Sequence, residues 1–186
     1  MEIRPANPKD LAGVTEIDGT VESLRYLHVD RSGEALNTHW KIEDRPLRQR
    51  LIQPLPMDDD QQFIFRQITG GIDQGIALVV EYDGGIVGSL LAQPLQPHQV
   101  LQVLDVRVDF DIRRQGLGSA LLFQAIQTAR DEKHRAVMIE TSANNHPAAQ
   151  LLDKLGFQLS GLDTLRKSNH DLVKEAVTLF WYCVLD

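Results

Sequence analysis

The stretch from Val106 to Gly118 reads V-R-V-D-F-D-I-R-R-Q-G-L-G, and it constrains this chain more than any other. An apolar strand runs to Val108, a short polar turn follows, and Ser119-Ala120-Leu121-Leu122 starts a run with helical apolar spacing. A strand–turn–helix joint carrying glycines at 116 and 118 is an anion cradle. Glycine tolerates φ > 0 and removes the Cβ atoms that keep a phosphate away from the backbone. The first amides of the helix lack partners within it, and its dipole favours negative charge there. Arg113 and Arg114 add charge and paired donors suited to phosphate oxygens. The run is not a P-loop, because no Gly-Lys-Ser/Thr follows. Nor is it the dinucleotide fingerprint, because Leu121 stands where the third glycine would fall.

Composition narrows what such a cradle serves. The 186 residues carry 19 basic and 26 acidic side chains, a net charge of −7, which argues against a nucleic-acid binder resting on a basic face. The acidic balance suits either simple solubility or a cationic substrate. One cysteine, Cys183, excludes an internal disulfide and a Cys-rich zinc site. It stands among Phe180, Trp181, Tyr182, Val184 and Leu185, as a small buried hydrophobe does. No signal pattern or long apolar run appears, so the expectation is a cytoplasmic chain with neither a membrane nor a metal partner.

In order, Glu2 to Ala6 reads as a strand and Asn7-Pro8 as the start of a helix over residues 8 to 18, with Asp18-Gly19 as its stop. Residues 20 to 70 read as an insertion of uncertain form. Alternation near Tyr26–Val29 and Trp40–Ile42 allows a hairpin, and Arg45 to Ile52 admits a helix. Asp58-Asp59-Asp60 is either a solvated helix start or an acidic rim for a cationic substrate. Ile76 to Tyr82 and Ile86 to Ala92 are strands joined by an Asp83-Gly84 turn, and Val100 to Val108 is the third of the meander. The helix after the cradle buries Leu117, Leu121, Leu122, Ala125, Ile126 and Ala129. A strand over Ala136 to Thr141, a helix from Pro147 to Leu155 with Gly156 as its stop, and strands at 157 to 160 and 177 to 185 complete one domain over 1–186. The class is α+β, with a mixed, mostly antiparallel sheet flanked by helices.

Three motifs in this order resemble the GNAT superfamily of acyl-CoA N-acyltransferases: Ile3-Arg4-Pro5-Ala6 before Asp10-Leu11, the Arg113–Gly118 loop in the spacing Arg/Gln-x-x-Gly-x-Gly/Ala, and Asn145-His146-Pro147-Ala148 through Leu155-Gly156-Phe157. The resemblance implies a sheet of six to seven strands in which the fourth and fifth splay apart. It implies acetyl-CoA as acyl donor, its pyrophosphate on Arg113, Arg114, Gln115, Gly116, Leu117, Gly118 and Ser119. Its pantetheine arm would pair like an added strand with the main chain of Val106 and Val108. Asn145 would lie near the thiol end, or serve simply to cap its helix. Homodimers are common in this superfamily, though no residue here argues for one.

The implied chemistry is attack of a small molecule's primary amine on the thioester. That step needs a proton acceptor, an oxyanion donor and often an acid for the thiolate. The Val106 or Val108 amide is the candidate donor, and Glu140 and Asp105 are candidate bases. Each carboxylate has a bland alternative, a solvated strand face or an ion pair with Arg107. Leu152 stands where the family commonly has a tyrosine acid; Tyr182, Ser142 and His146 are the replacements available. Leu159–Thr164 and Glu175–Tyr182 further resemble the streptothricin acetyltransferases, which act on a cationic antibiotic. Two other functions fit the same cradle, an acyl-CoA-binding sensor without turnover and a protein N-terminal or lysine acetyltransferase.

Overall fold

Asn7 opens the first helical segment with a capping box: its side chain accepts from Lys9 N, and the Asp10 carboxylate returns to Asn7 N at 2.8 Å. This fixes a 3-10 turn, Pro8–Asp10, running into α1, Leu11–Glu16, after strand β1, Glu2–Pro5. In the computed structural model, residues 1–185 are described. They form two compact units, which are taken separately.

The first unit comprises Met1–Thr20, Pro54–Ile139 and the residues from Tyr182 onward. Its meander is β4 (Ile76–Tyr82), β5 (Gly85–Leu95) and β6 (Val100–Val108), antiparallel throughout, with β1 on the outer edge of β4. The Asp83-Gly84 turn takes φ of 50° and 77°, the left-handed pair that a two-residue hairpin turn needs. Helix α2, Asp59–Thr69, begins where the acidic run stands. Asp58 caps it by accepting from Gln61 N at 2.7 Å, which makes the run a helix start. Val14, Ile17, Met57, Phe65, Ala77, Val79 and Leu91 pack as one cluster of buried side chains. Burying each of its larger members is worth about 1.5–3 kcal/mol. Helix α3, Leu117–Asp131, buries the six residues its spacing predicts.

The second unit comprises Val21–Gln53 and Glu140–Trp181. Strands β2 (Val21–Glu34) and β3 (Asn37–Gln53) make a long two-stranded ladder, whose register shifts between Ser23 and Arg25, where residues 47–50 of β3 stand against Leu24. The helix admitted for Arg45 to Ile52 is corrected here to strand, since Arg45 pairs with Tyr26 and Ile52 with Glu22. The ladder satisfies that segment's main chain from far along the sequence, and this outweighs local helical spacing. Helix α4, His146–Lys154, and strand β8, Gln158–Asp163, complete the unit.

Strands β7, Ala136–Ser142, and β9, Thr178–Val184, enter a seven-stranded, mostly antiparallel sheet ordered β1-β4-β5-β6-β7-β9-β8. Only β6 and β7 run parallel among the registers described, pairing Val100–Val103 with Ala136–Ile139. Beyond this register β6 itself runs on to Val108, toward the cradle.

Candidate active site

The main chain of β6 is polarised by its register. Asp109 N donates to Val87 O at 2.9 Å, and antiparallel pairs alternate between exchanging hydrogen bonds and facing away. Val108, opposite Gly88, and Val106, opposite Leu90, therefore fall on the outward-facing positions. Their N–H and C=O groups point away from β5, toward the side where the β7 ladder has ended. A bulge removes Leu104 from the β5 register, and Gln61 Nε2 donates to the Leu104 carbonyl at 3.1 Å.

From Val108 the chain passes one 3-10 turn, Phe110–Ile112, and reaches Gly116 at the N-terminus of α3. Gly116 has φ of 82°, and no side chain caps the helix. A Cβ built there would find nothing within 4 Å, so the space above the loop is open. Arg114 also takes a positive φ, 65°, and it is exposed together with Gln115. Leu117 is buried, while Gly118 and Ser119 lie half-buried in the first helical turn. The result is a set of converging amides under an open space, which suits an anion.

Arg113 turns its side chain inward. Its Nε donates to Val108 O at 2.8 Å, and its two terminal nitrogens donate to Thr20 O and to Asp18 O, the latter at 3.0 Å. Its guanidinium also stacks over Phe110, 5.1 Å from the ring centroid. Burial pulls this arginine below its ordinary pKa, against the opposing charges of Asp18 and Asp109. What Arg113 contributes toward the open space is main chain, and its side chain braces the loop.

Asp105 and Arg107 form a buried fork on the other face of β6. Arg107 Nε donates to Oδ2 at 2.7 Å and Nη2 to Oδ1 at 2.8 Å, with the two residues 8% and 5% exposed. Arg107 Nη1 also reaches Leu55 O at 3.4 Å. Both carboxylate oxygens are thus engaged. Tyr182, the candidate acid of this unit, is half-buried on β9. Its neighbour Cys183 is half-buried, and burial raises its thiol pKa, which leaves it a poor nucleophile.

In the second unit, Glu140 is half-buried and pairs with Arg166 at 2.9 Å. Asn145 caps α4, its side-chain oxygen accepting from Ala148 N at 3.3 Å. Ser142 offers its carbonyl to Asn145 N at 2.9 Å. His146 is buried, its Nε2 3.0 Å from Asp44 Oδ2. His146, then Arg25, holds the Asp44 carboxyl below the usual carboxylate range. Leu152 is 1% exposed and belongs to the core. A groove of about 520 Å³ runs past Asp44 and His146 to Phe157 and Trp181. Sequence reasoning gave no signal for the pairs His146–Asp44 and His28–Glu175, which depend on the β2–β3 arm, or for Trp181–Thr141, which depends on β9 lying beside β7. Among the described residues no His, Cys, Asp and Glu cluster is arranged to hold a metal.

Comparison with known proteins adds three kinds of finding. Residues 37–157 match the family model described as the acetyltransferase (GNAT) family. Streptothricin acetyltransferase A of Bacillus subtilis (strain 168) is 35% identical over 78 residues, which cover 42% of this chain and 44% of that protein. The match therefore spans under half of that relative's length. Streptothricin acetyltransferase of Streptomyces lavendulae is 24% identical over 163 residues, covering 88% of this chain and 84% of that protein. Among solved structures, a nourseothricin acetyltransferase superposes with a TM-score of 0.80 at 22% identity, covering 100% of this chain and 98% of its own. A structure from Bacillus anthracis str. Ames, in complex with acetyl coenzyme A, gives 0.77 at 23% identity, covering 99% of each chain. At these identities the superpositions speak for the fold.

Proposed function

Because the chain belongs to the acetyltransferase (GNAT) family, we propose that it moves an acetyl group from acetyl-CoA to a primary amine of a small cationic substrate. The single observation that carries this is the continuity of β6 with the cradle. Outward-facing main chain at Val106 and Val108 leads directly to left-handed Gly116 under open space. A pantetheine arm is peptide-like and pairs with such a strand, while a pyrophosphate needs such amides at its end. The residues therefore fit acetyl-CoA. Arg114 to Ser119 would hold the pyrophosphate, and Val106 with the Val108 amide would hold the arm. The Val108 carbonyl is already taken by Arg113.

When bound, acetyl-CoA supplies an activated acyl carbon. The amine, after losing its ammonium proton, would attack that carbon; a C–N bond would form and the C–S bond break. The nitrogen would give up a second proton as the amide forms, and the departing thiolate would take up one proton to leave as thiol. With the Val106 carbonyl and Val108 amide given to the arm, the Val106 amide, on the same outward edge, is the donor proposed for the oxyanion. We assign the ammonium proton to Glu140 rather than Asp105. Arg166 meets both Glu140 oxygens as well, at 2.9 and 3.4 Å, but that fork is longer and half-exposed, so solvent can loosen it, whereas the Asp105–Arg107 fork is buried. Tyr182 is the hydroxyl assigned to the departing thiolate. The streptothricin acetyltransferase relatives make streptothricin the first acceptor to try.

The test is a thiol-release assay with acetyl-CoA and streptothricin, polyamines, aminoglycosides, amino acids and short peptides, on wild type and Gly116→Trp. The expectation is turnover of a cationic small molecule, abolished when the indole fills the cradle. Acetyl-CoA binding without turnover of any amine would favour a sensor instead. Absence of acetyl-CoA binding would overturn the proposal.

A further inference from the structure

A second cluster of ionisable side chains lies wholly within the second unit, apart from the residues assigned above. On β2, Tyr26 and His28 flank Leu27 on one face, with their rings edge to face at 5.8 Å and Tyr26 Oη 3.3 Å from His28 Nδ1. The Glu175 carboxylate reaches His28 Nδ1 at 3.7 Å, and Asp30 lies 4.0 Å from Nε2. Across the ladder, Glu43 stands opposite His28 and Arg45 opposite Tyr26. Glu43 is already matched by Lys41 and Arg45. Arg45 also interacts with Asp30 and Tyr26, and the remaining carboxylate of the cluster is Glu175, set beside Tyr26 and His28.

Glu175 is held there by its backbone. Its φ is 56°, the left-handed residue that closes a turn, with its own N–H donating to Leu172 O at 3.3 Å. The loop before it is pinned by buried Asp171, which accepts from Ser168 Oγ at 2.6 Å and Lys167 N at 2.8 Å. Ala176 N closes the same loop onto Asp171 O at 2.9 Å. The side chain remains 38% exposed, so the carboxylate is both fixed and reachable. Leu27 N donates to Ala143 O and Ala143 N to Val177 O, each at 2.8 Å, which laces β2, the end of β7 and the start of β9 together beside the cluster. Ala143 lies between Glu140 and Asn145, the segment that the proposed function puts at the reacting thioester.

We propose that Glu175, supported by Tyr26 and His28, is the seat for the acceptor's cationic amine, a specificity-determining site that rests on the acetyl-transfer reading above. A fixed, reachable carboxylate holds an ammonium by a charge-assisted hydrogen bond. Burial, then Glu175, raises the Tyr26 phenol's pKa, so it keeps its proton and stays a hydrogen-bond donor within the cluster.

The experiment measures calorimetric binding of streptothricin, of spermidine and of acetyl-CoA to the full chain, with steady-state turnover, for wild type, Glu175→Gln and Glu175→Gly. The expected result is a rise of about 10- to 100-fold in the amine's Kd and KM for both variants, with acetyl-CoA affinity unchanged. Glu175→Gly relieves the left-handed backbone, so its Tm should not fall, whereas a purely structural carboxylate would lower it. The proposal is overturned if amine affinity stays within about twofold of wild type in Glu175→Gln. It is equally overturned if wild type binds acetyl-CoA but neither amine, or if amine and acetyl-CoA affinity fall together with Tm. Failure of wild type to bind acetyl-CoA would instead strike the function proposed above, and amine calorimetry would still decide the role of Glu175.

Discussion

Replacing Asp105 with asparagine separates a structural carboxylate from a catalytic one. The wild-type side chain accepts from Arg107 Nε at 2.7 Å and Nη2 at 2.8 Å, and both residues are nearly excluded from solvent. Asparagine keeps the shape and one acceptor but leaves the guanidinium charge buried against a neutral group. Removing one partner of a buried pair costs about 3–5 kcal/mol. For a chain of this size each kcal/mol moves Tm by roughly 2–4 °C, so Asp105→Asn should melt roughly 6–20 °C lower. Urea titration should give a lower midpoint at unchanged slope. The pair Asp105→Leu with Arg107→Met removes both charges at similar volume and should recover most of the loss. Turnover per folded molecule should fall by less than about tenfold. An Asp105→Asn protein with wild-type Tm and abolished turnover would refute this reasoning and return Asp105 to the role of base.

Arg113→Lys loses the fork that serves three carbonyls at once; it should cost about 1–3 kcal/mol and weaken acetyl-CoA binding, read by denaturation and calorimetry. Asn145→Ala should lose about 1 kcal/mol by uncapping α4, while Asn145→Asp keeps the cap; if Asn145 also touches the cofactor, the aspartate variant will show wild-type Tm with weaker acetyl-CoA binding. Acid should destabilise the fold through Asp10, held down chiefly by Arg4, and Asp171, held down chiefly by Ser168. Their folded pKa values lie below the unfolded ones, so their stabilisation is complete above the unfolded carboxylate value, about 3.9, and is lost as pH falls through the depressed values. Urea midpoints taken from about pH 5 to about pH 2 should drop in wild type and flatten in Asp171→Asn.

The parts of this molecule that the sequence makes legible are those built from neighbours in the chain. The α3 stripe, the Asp83-Gly84 turn and the glycine joint at Gly116 before α3 depend on spacing within a few residues, and each stands where spacing puts it. The β2–β3 arm is less legible because its stability comes from pairing between segments with weak alternation, so Arg45 to Ile52 offers a helical reading that the ladder overrides. Side-chain chemistry follows the same division. The Asp105–Arg107 fork is a two-residue spacing on one strand face, and the sequence admits it as one alternative to a base or a solvated face. The inward turn of Arg113 depends on carbonyls at Asp18 and Thr20, which no motif around 113 encodes. Glu175 meets His28 only because a pinned loop and a long arm converge, and no periodicity reports that.

Leu152 bears on the chemistry in the same way. At 1% exposed it fills core space on the buried side of α4, so a tyrosine there would overpack that core by several heavy atoms before it could donate a proton. The leucine is thus a packing solution, and its presence says little against turnover. A thiol with a pKa near ~8.5 leaves tolerably as thiolate at neutral pH. The demand on the protein then shifts from the acid to the other proton, the one the incoming ammonium must lose before it can attack. That proton is the more expensive of the two, because an alkylammonium holds it as tightly as a lysine does, near ~10.4. The roles proposed above, Glu140 to accept that proton and Glu175 to hold the amine, would meet the larger demand, and leucine at the α4 position would then cost the reaction little.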